Sequence, residues 1–233
     1  MKKTFKTFLV LVLGLFLMAG TAMATPISGL VNGGSLIIGD KTFSNFSYTI
    51  TGDAMSPDLE VGGIMVNDVV YLSFIGAMGV DASFSSTNLI GDYLIKFSVT
   101  AADPRQVTSI GQWIVGGLSN TNTASMYLTE IVRDAQFGGT VVAQSQLAVT
   151  ATVNDLEDPL PEIFQNDQLI INPALTTVWV SKDFQFKANP GNFSVASEIG
   201  QSFHQTPVPE PATLFLLGFG LIGLAGAGRK FKK

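Results

Sequence analysis

The decapeptide TVWVSKDFQF, residues 177–186, decides the fold. Val178, Val180, Phe184 and Phe186 recur at a period of two. Successive side chains of an extended strand point to opposite faces, so this spacing gathers the four on one side of a strand and would scatter them around a helix. Trp179, between Val178 and Val180, then faces the other way.

Working outward, the same signature returns at intervals. Residues 193–203 follow as a strand, and residues 169–171 precede as a short one. Residues 93–99 (YLIKFSV), 110–115 and 141–153 read as strands, as do 35–38, ended by Gly39-Asp40, and 43–50. Residues 64–66 and 69–74 read as a hairpin around Asn67-Asp68. Residues 126–132 read as a strand, although a short helix fits them too. Residues 52–57 and 157–162 are loops. Threonine, valine, isoleucine and phenylalanine suit a pleated, half-buried surface. Strands every ten residues or so, with turn residues between them, predict an all-β antiparallel β-sandwich of jelly-roll type. No stretch of the body holds a helical period for three turns.

Charge divides the 233 residues. Of 13 basic residues, Lys2, Lys3, Lys6, Arg229, Lys230, Lys232 and Lys233 lie at the ends. Between Thr25 and Val208 there remain 6 basic and 17 acidic residues, a net charge of -11. Such a body has no basic footprint for nucleic acid. There is no cysteine, which excludes thiol chemistry and disulfides.

Both ends read as addressing segments. Residues 1–6 are basic, residues 7–18 are dominated by Leu, Val and Phe, and Ala22-Met23-Ala24 puts small residues where a signal peptidase reads. This predicts a signal peptide over residues 1–24, forming a signal helix, with the cut between Ala24 and Thr25. At the other end, Val208-Pro209-Glu210-Pro211 is stiff, because each proline fixes its own φ and restricts the residue before it. Residues 212–228 are uncharged and apolar, and Arg229, Lys230, Lys232 and Lys233 close the chain. As a transmembrane helix this run spans about 25 Å, the short end of what a bilayer core of about 30 Å needs. The basic end favours a cytoplasmic C-terminus with the body outside. The expected organisation is therefore a signal peptide (1–24), a β-sandwich ectodomain (25–206) and a tail (207–233).

Chemistry is sparse. The one histidine, His204, stands at the run-in to the tail and reads as a last-strand or stalk residue. A serine triad has no G-x-S-x-G elbow here. Asp155, Glu157, Asp158 and Glu162 form an acidic loop. Hard oxygen ligands in loops suit calcium, but EF-hand spacing is missing, and a solvated turn explains the cluster as well. No cofactor and no catalytic site are expected. Gly218, Gly220 and Gly223 spell a dinucleotide fingerprint inside the apolar tail, without the strand that chemistry requires. Trp113 and Trp179 could form a sugar-stacking platform, with partial or full burial as the plainer reading. Asn45 and Asn192 each open an N-glycosylation triplet.

The tail carries a resemblance. Val208-Pro209-Glu210-Pro211-Ala212-Thr213-Leu214, the glycine-rich run and Arg229-Lys230 resemble the PEP-CTERM sorting signal of bacterial exported proteins. That resemblance implies signal peptidase and exosortase as partners during export, with Pro209, Glu210 and Pro211 as the recognition element. It also implies a transient membrane anchor and delivery to the cell surface or extracellular polysaccharide matrix. Residues 39–46 (GDKTFSNF), 180–183 (VSKD) and 201–205 (QSFHQ) are similar to segments seen in such proteins. The expected function is a structural or adhesive surface protein, then a carbohydrate-binding module for exopolysaccharide. A hydrolase using two carboxylates, which needs them roughly 5 to 9.5 Å apart, comes last.

Overall fold

The structure is a computed structural model that describes residues 24–119, 124–136, 138–150 and 163–206. Outside the described residues lie the predicted signal helix up to residue 23 with Ala22, the tail from residue 207 with its apolar run, and the acidic loop of Asp155, Glu157, Asp158 and Glu162. Ala24 is exposed and Thr25 opens the first strand.

Twelve strands and one short helix are described: β1 (Thr25–Pro26), α1 (Ile27–Val31), β2 (Leu36–Ile38), β3 (Lys41–Gly52), β4 (Glu60–Val66), β5 (Val69–Asp81), β6 (Leu89–Ala101), β7 (Val107–Leu118), β8 (Ser125–Arg133), β9 (Val141–Thr150), β10 (Ile163–Leu175), β11 (Thr177–Ala188) and β12 (Phe193–Gln205). They form two six-stranded sheets, ordered β1-β4-β5-β12-β7-β10 and β2-β3-β6-β11-β8-β9. Every strand pair is antiparallel. From β5 onward the chain changes sheet at each step except between β8 and β9. This gives β5-β12-β7-β10 facing β6-β11-β8-β9, the wiring of an eight-strand jelly roll. The earlier strands widen one side of each sheet.

The expected sandwich is there, and its strands fall where the alternation put them. The ambiguous stretch at residues 126–132 is β8, a strand in which Met126, Leu128, Glu130 and Val132 all face inward. The Asn67-Asp68 hairpin has both residues at positive φ, 49° and 64°, as a two-residue hairpin loop of matching twist requires. Several expectations were too short: residues 69–74 are the first part of β5, and 93–99 and 110–115 are the middles of β6 and β7, strands which each run over twelve or thirteen residues. β4 begins at Glu60, because Gly62 and Gly63 hide a strand that carries little side-chain pattern. β10 runs over thirteen residues rather than three. It is an edge strand whose register shifts between Ile170 and Leu175, and Pro173, without an N–H, is tolerated at such an edge.

The core lies between the sheets. Phe97 of β6 is fully buried, with ring centroids of Phe43, Phe46, Phe74 and Phe203 at 6.3, 5.4, 5.7 and 6.5 Å. Tyr93, four residues earlier on the same face, packs edge-on to Phe186. Its hydroxyl donates to Met55 O at 2.6 Å and accepts from Gly79 N at 2.8 Å. That one side chain pins the loop before β4 onto β5.

Candidate functional site

Four inward-facing runs each contain one polar residue: Val180-x-Lys182-x-Phe184 on β11, Leu128-x-Glu130-x-Val132 on β8, Ile110-x-Gln112-x-Ile114 on β7 and Ile199-x-Gln201-x-Phe203 on β12. A strict period of two leaves these side chains nowhere to go but the interior. Register then collects them. Lys182 is the direct cross-strand partner of Glu130, and Glu130 of Ser145 on β9. On the facing sheet Gln201 pairs with Gln112, and Gln112 with Asp167 on β10. Two polar rows therefore face each other, one from each sheet, as a single layer through an otherwise apolar core.

The layer is connected. Lys182 Nζ donates to Glu130 Oε2 and, at 3.3 Å, to Gln112 Oε1. Gln201 Nε2 donates to Glu130 Oε2. Gln112 Nε2 donates to Ser145 Oγ at 3.0 Å, and Ser145 Oγ donates to Asp167 Oδ2. The chain of contacts thus runs from a fully buried ion pair to an exposed carboxylate at the β9/β10 edge. Burial pushes the Glu130 carboxyl up and the Lys182 ammonium down, against the attraction between them. Each is driven toward its uncharged form. Glu130 Oε1 and Gln201 Oε1 are buried without a hydrogen-bond partner among the described residues.

A second charged group closes the end of the sandwich from which the tail departs. Lys41 is fully buried at the start of β3. Its Nζ donates to Asp40 Oδ1 at 3.1 Å and to Gln205 Oε1 at the end of β12. Arg105 Nη1 bridges Asp40 and Asp68 at 3.1 and 3.5 Å. Thr206 N donates to Gln106 O at 2.9 Å, so the backbone is held up to the residue before the tail. His204 belongs here as a last-strand residue. Its Nε2 meets Ser202 Oγ at 3.2 Å, and burial followed by the Lys41 charge lowers its pKa. The segments 39–46, 180–183 and 201–205 thus meet in the interior. Lys41 touches Gln205, Phe43 lies edge-on to Phe203 at 5.2 Å, and Lys182 and Gln201 share Glu130.

The outer faces carry the remaining chemistry. Trp113 and Trp179 do not form one platform. Trp113 alternates outward from β7 and Trp179 outward from β11, so they stand on opposite faces of the sandwich, each partly buried. The Trp113 indole lies against Gly200, its cross-strand neighbour, where a Cβ would meet ring atoms at 1.9 Å. Tyr71 is beside it, ring centroids 6.2 Å apart. Asn192, buried, accepts from Ser119 Oγ and donates to Pro190 O, and exposed Asn45 donates to Ser98 Oγ. Among the described residues no cluster of three or more histidine or acidic side chains could hold a metal ion. No described helix is long and apolar enough to cross a membrane.

On the outer face of β6 and β11, Asp92 and Asp183 lie on neighbouring strands, and Asp92 Oδ1 is buried without a hydrogen-bond partner among the described residues. Partial burial, and after it the nearby Asp183 carboxyl, raise the Asp92 pKa to about 6. A carboxyl raised on folding binds its proton more tightly in the native state. Its stabilising effect is therefore complete below pH 3.8 and lost as pH rises through about 6. Asp92→Asn is expected to flatten stability between those limits and to raise it at neutral pH, as chemical denaturation across a pH series would show. An unchanged profile would mean that the Asp92 carboxyl is not raised on folding.

A model of the PEP-CTERM protein-sorting motif family matches residues 207–230. No curated protein matches the chain. Solved structures with similarity include TmCBM61 in complex with β-1,4-galactotriose, at 14% identity over 66% of this chain and 86% of that one, TM-score 0.30. A CBM4 structure matches at 10% identity over 69% and 86%, TM-score 0.27. A family 11 carbohydrate-binding module from Clostridium thermocellum, in complex with a β-1,3-1,4-mixed-linked tetrasaccharide, matches at 10% identity over 78% and 94%, TM-score 0.23. Likenesses this distant transfer no ligand.

Proposed function

We propose that this chain, which carries a PEP-CTERM protein-sorting motif and is thereby an exported protein, is a structural or adhesive component of the cell surface or its surrounding matrix. Its sandwich is the cargo and its tail the address. The observation that carries this reading is the junction. The last strand ends at Gln205, Thr206 makes the final described backbone hydrogen bond, and the matched motif begins at residue 207. Pro209 therefore follows four residues after the last strand ends, so along the chain the recognition element comes soon after the folded body. No catalytic role is assigned. The buried acid, amines and carboxamides are engaged with one another, and His204 is occupied by its own strand.

The test replaces Pro209, Glu210 and Pro211 with alanine in the native host. The wild-type protein is expected to lose its tail and leave the inner membrane. The variant is expected to keep the tail and remain there, as intact mass and fractionation would show. If both forms retain the tail, the segment is an anchor only.

A second reading is carbohydrate binding, favoured by Trp113 and Tyr71 side by side on the outer face of the first sheet. Aromatic rings of this kind stack on sugar faces. On this reading Trp113→Ala should abolish retention of the protein on its host's exopolysaccharide, whereas Trp179→Ala, on the opposite face, should leave retention intact.

A further inference from the structure

We propose that Lys182 and Gln112 become joined by an intramolecular isopeptide bond between Nζ and Cδ, formed with loss of ammonia and promoted by Glu130. The three parts of an amide exchange are in one dry layer: an amine, a carboxamide and an acid. Lys182 and Glu130 are each 0% exposed and Gln112 is 1% exposed. Lys182 Nζ already lies 3.3 Å from the carboxamide oxygen and in contact with the Glu130 carboxylate. Water, the competitor for such a reaction, is excluded by the apolar residues above and below the layer.

The protons balance within the cluster. Lys182 begins with three N–H protons and passes one to Glu130, becoming the neutral nucleophile. Nζ attacks Cδ of Gln112, and the carbonyl electron pair moves to Oε1. When that pair returns, the Cδ–Nε2 bond breaks. Of the two protons the ammonium gives up, one leaves with Nε2 as ammonia and the other stays on Glu130. Two buried charges are thereby replaced by a neutral amide and a neutral acid, which a low-dielectric interior favours. Burial already drives both groups in that direction.

Two further features fit. Nε2 of Gln112, the departing nitrogen, points away from Lys182 to Ser145 and on to Asp167, which is exposed at the β9/β10 edge. The leaving group thus faces a polar exit. Glu130 Oε1 and Gln201 Oε1 are both buried acceptors without a donor, and a proton retained on Glu130 adds the donor this layer lacks. Gln201 is not the acyl partner in this arrangement. It contacts Glu130 through its own N–H, and its carbonyl oxygen receives nothing. The bond would tie β7 of one sheet to β11 of the other, in a chain that has no cysteine for a disulfide.

The test is mass spectrometry of the full exported chain, folded and unmodified otherwise. Digests should contain a peptide bearing Gln112 joined to one bearing Lys182, about 17 Da lighter than their sum, with trypsin unable to cut after Lys182. Lys182→Arg and Glu130→Gln should restore the full mass. The folded wild-type chain decides the matter even if a variant fails to fold. Two separate, full-mass peptides from it would overturn the proposal. So would a link to Glu130, which loses water instead. A deficit that maps to Asn32-Gly33, where a backbone succinimide also releases ammonia, would overturn it as well.

Discussion

Glu130→Leu is expected to destabilise the fold by about 3–5 kcal/mol, measured by denaturant unfolding. The substitution keeps the approximate volume of the side chain, so packing is not the cause. It strands the Lys182 ammonium in a fully buried site, with only the Gln112 carbonyl for a partner. It also removes the acceptor of Gln201 Nε2. Adding Lys182→Met to this variant is expected to recover most of the loss, because the double variant contains neither charge. Recovery is the informative result. A buried pair need not stabilise relative to apolar residues, but half of one is costly. If the double variant is no better than the single, the cost comes from packing in the layer and not from the charge.

Phe97→Ala should cost a comparable amount, about 3–5 kcal/mol, for a different reason. Phe97 is fully buried, and four phenylalanine rings surround it: Phe43 and Phe46 from β3, Phe74 from β5 and Phe203 from β12. The cluster therefore joins both sheets. Truncation leaves a cavity that these rings cannot close without breaking the edge-on contact between Phe43 and Phe203. The same denaturant titration reads the effect, and an unchanged m-value would show that the sandwich stays a single cooperative unit. A loss below about 2 kcal/mol would mean that the neighbouring rings collapse into the space.

The strands of this protein were legible because a period of two is a local property. Val178, Val180, Phe184 and Phe186 declare their face through backbone geometry alone, and Asn67-Asp68 declares its hairpin through the same local sterics. The sorting tail was equally legible, since its prolines, apolar run and basic end act in sequence order. The polar layer was half visible. Lys182, Glu130, Gln112 and Gln201 each interrupt an apolar alternation at an inward position, a signal that parity alone could have revealed. What parity does not contain is partnership. Lys182 meets Glu130 only because β11 lies beside β8, and Gln112 meets Gln201 only because β7 lies beside β12.

The same limit explains the two tryptophans. Each is outward by parity, yet their separation follows from β7 and β11 belonging to different sheets. By itself, then, the sequence determined which residues extend, which face they present and how the tail is addressed, because those depend on neighbours along the chain. Only the tertiary structure decided which buried charge answers which, because register between strands far apart in sequence is set by the packing of both sheets together.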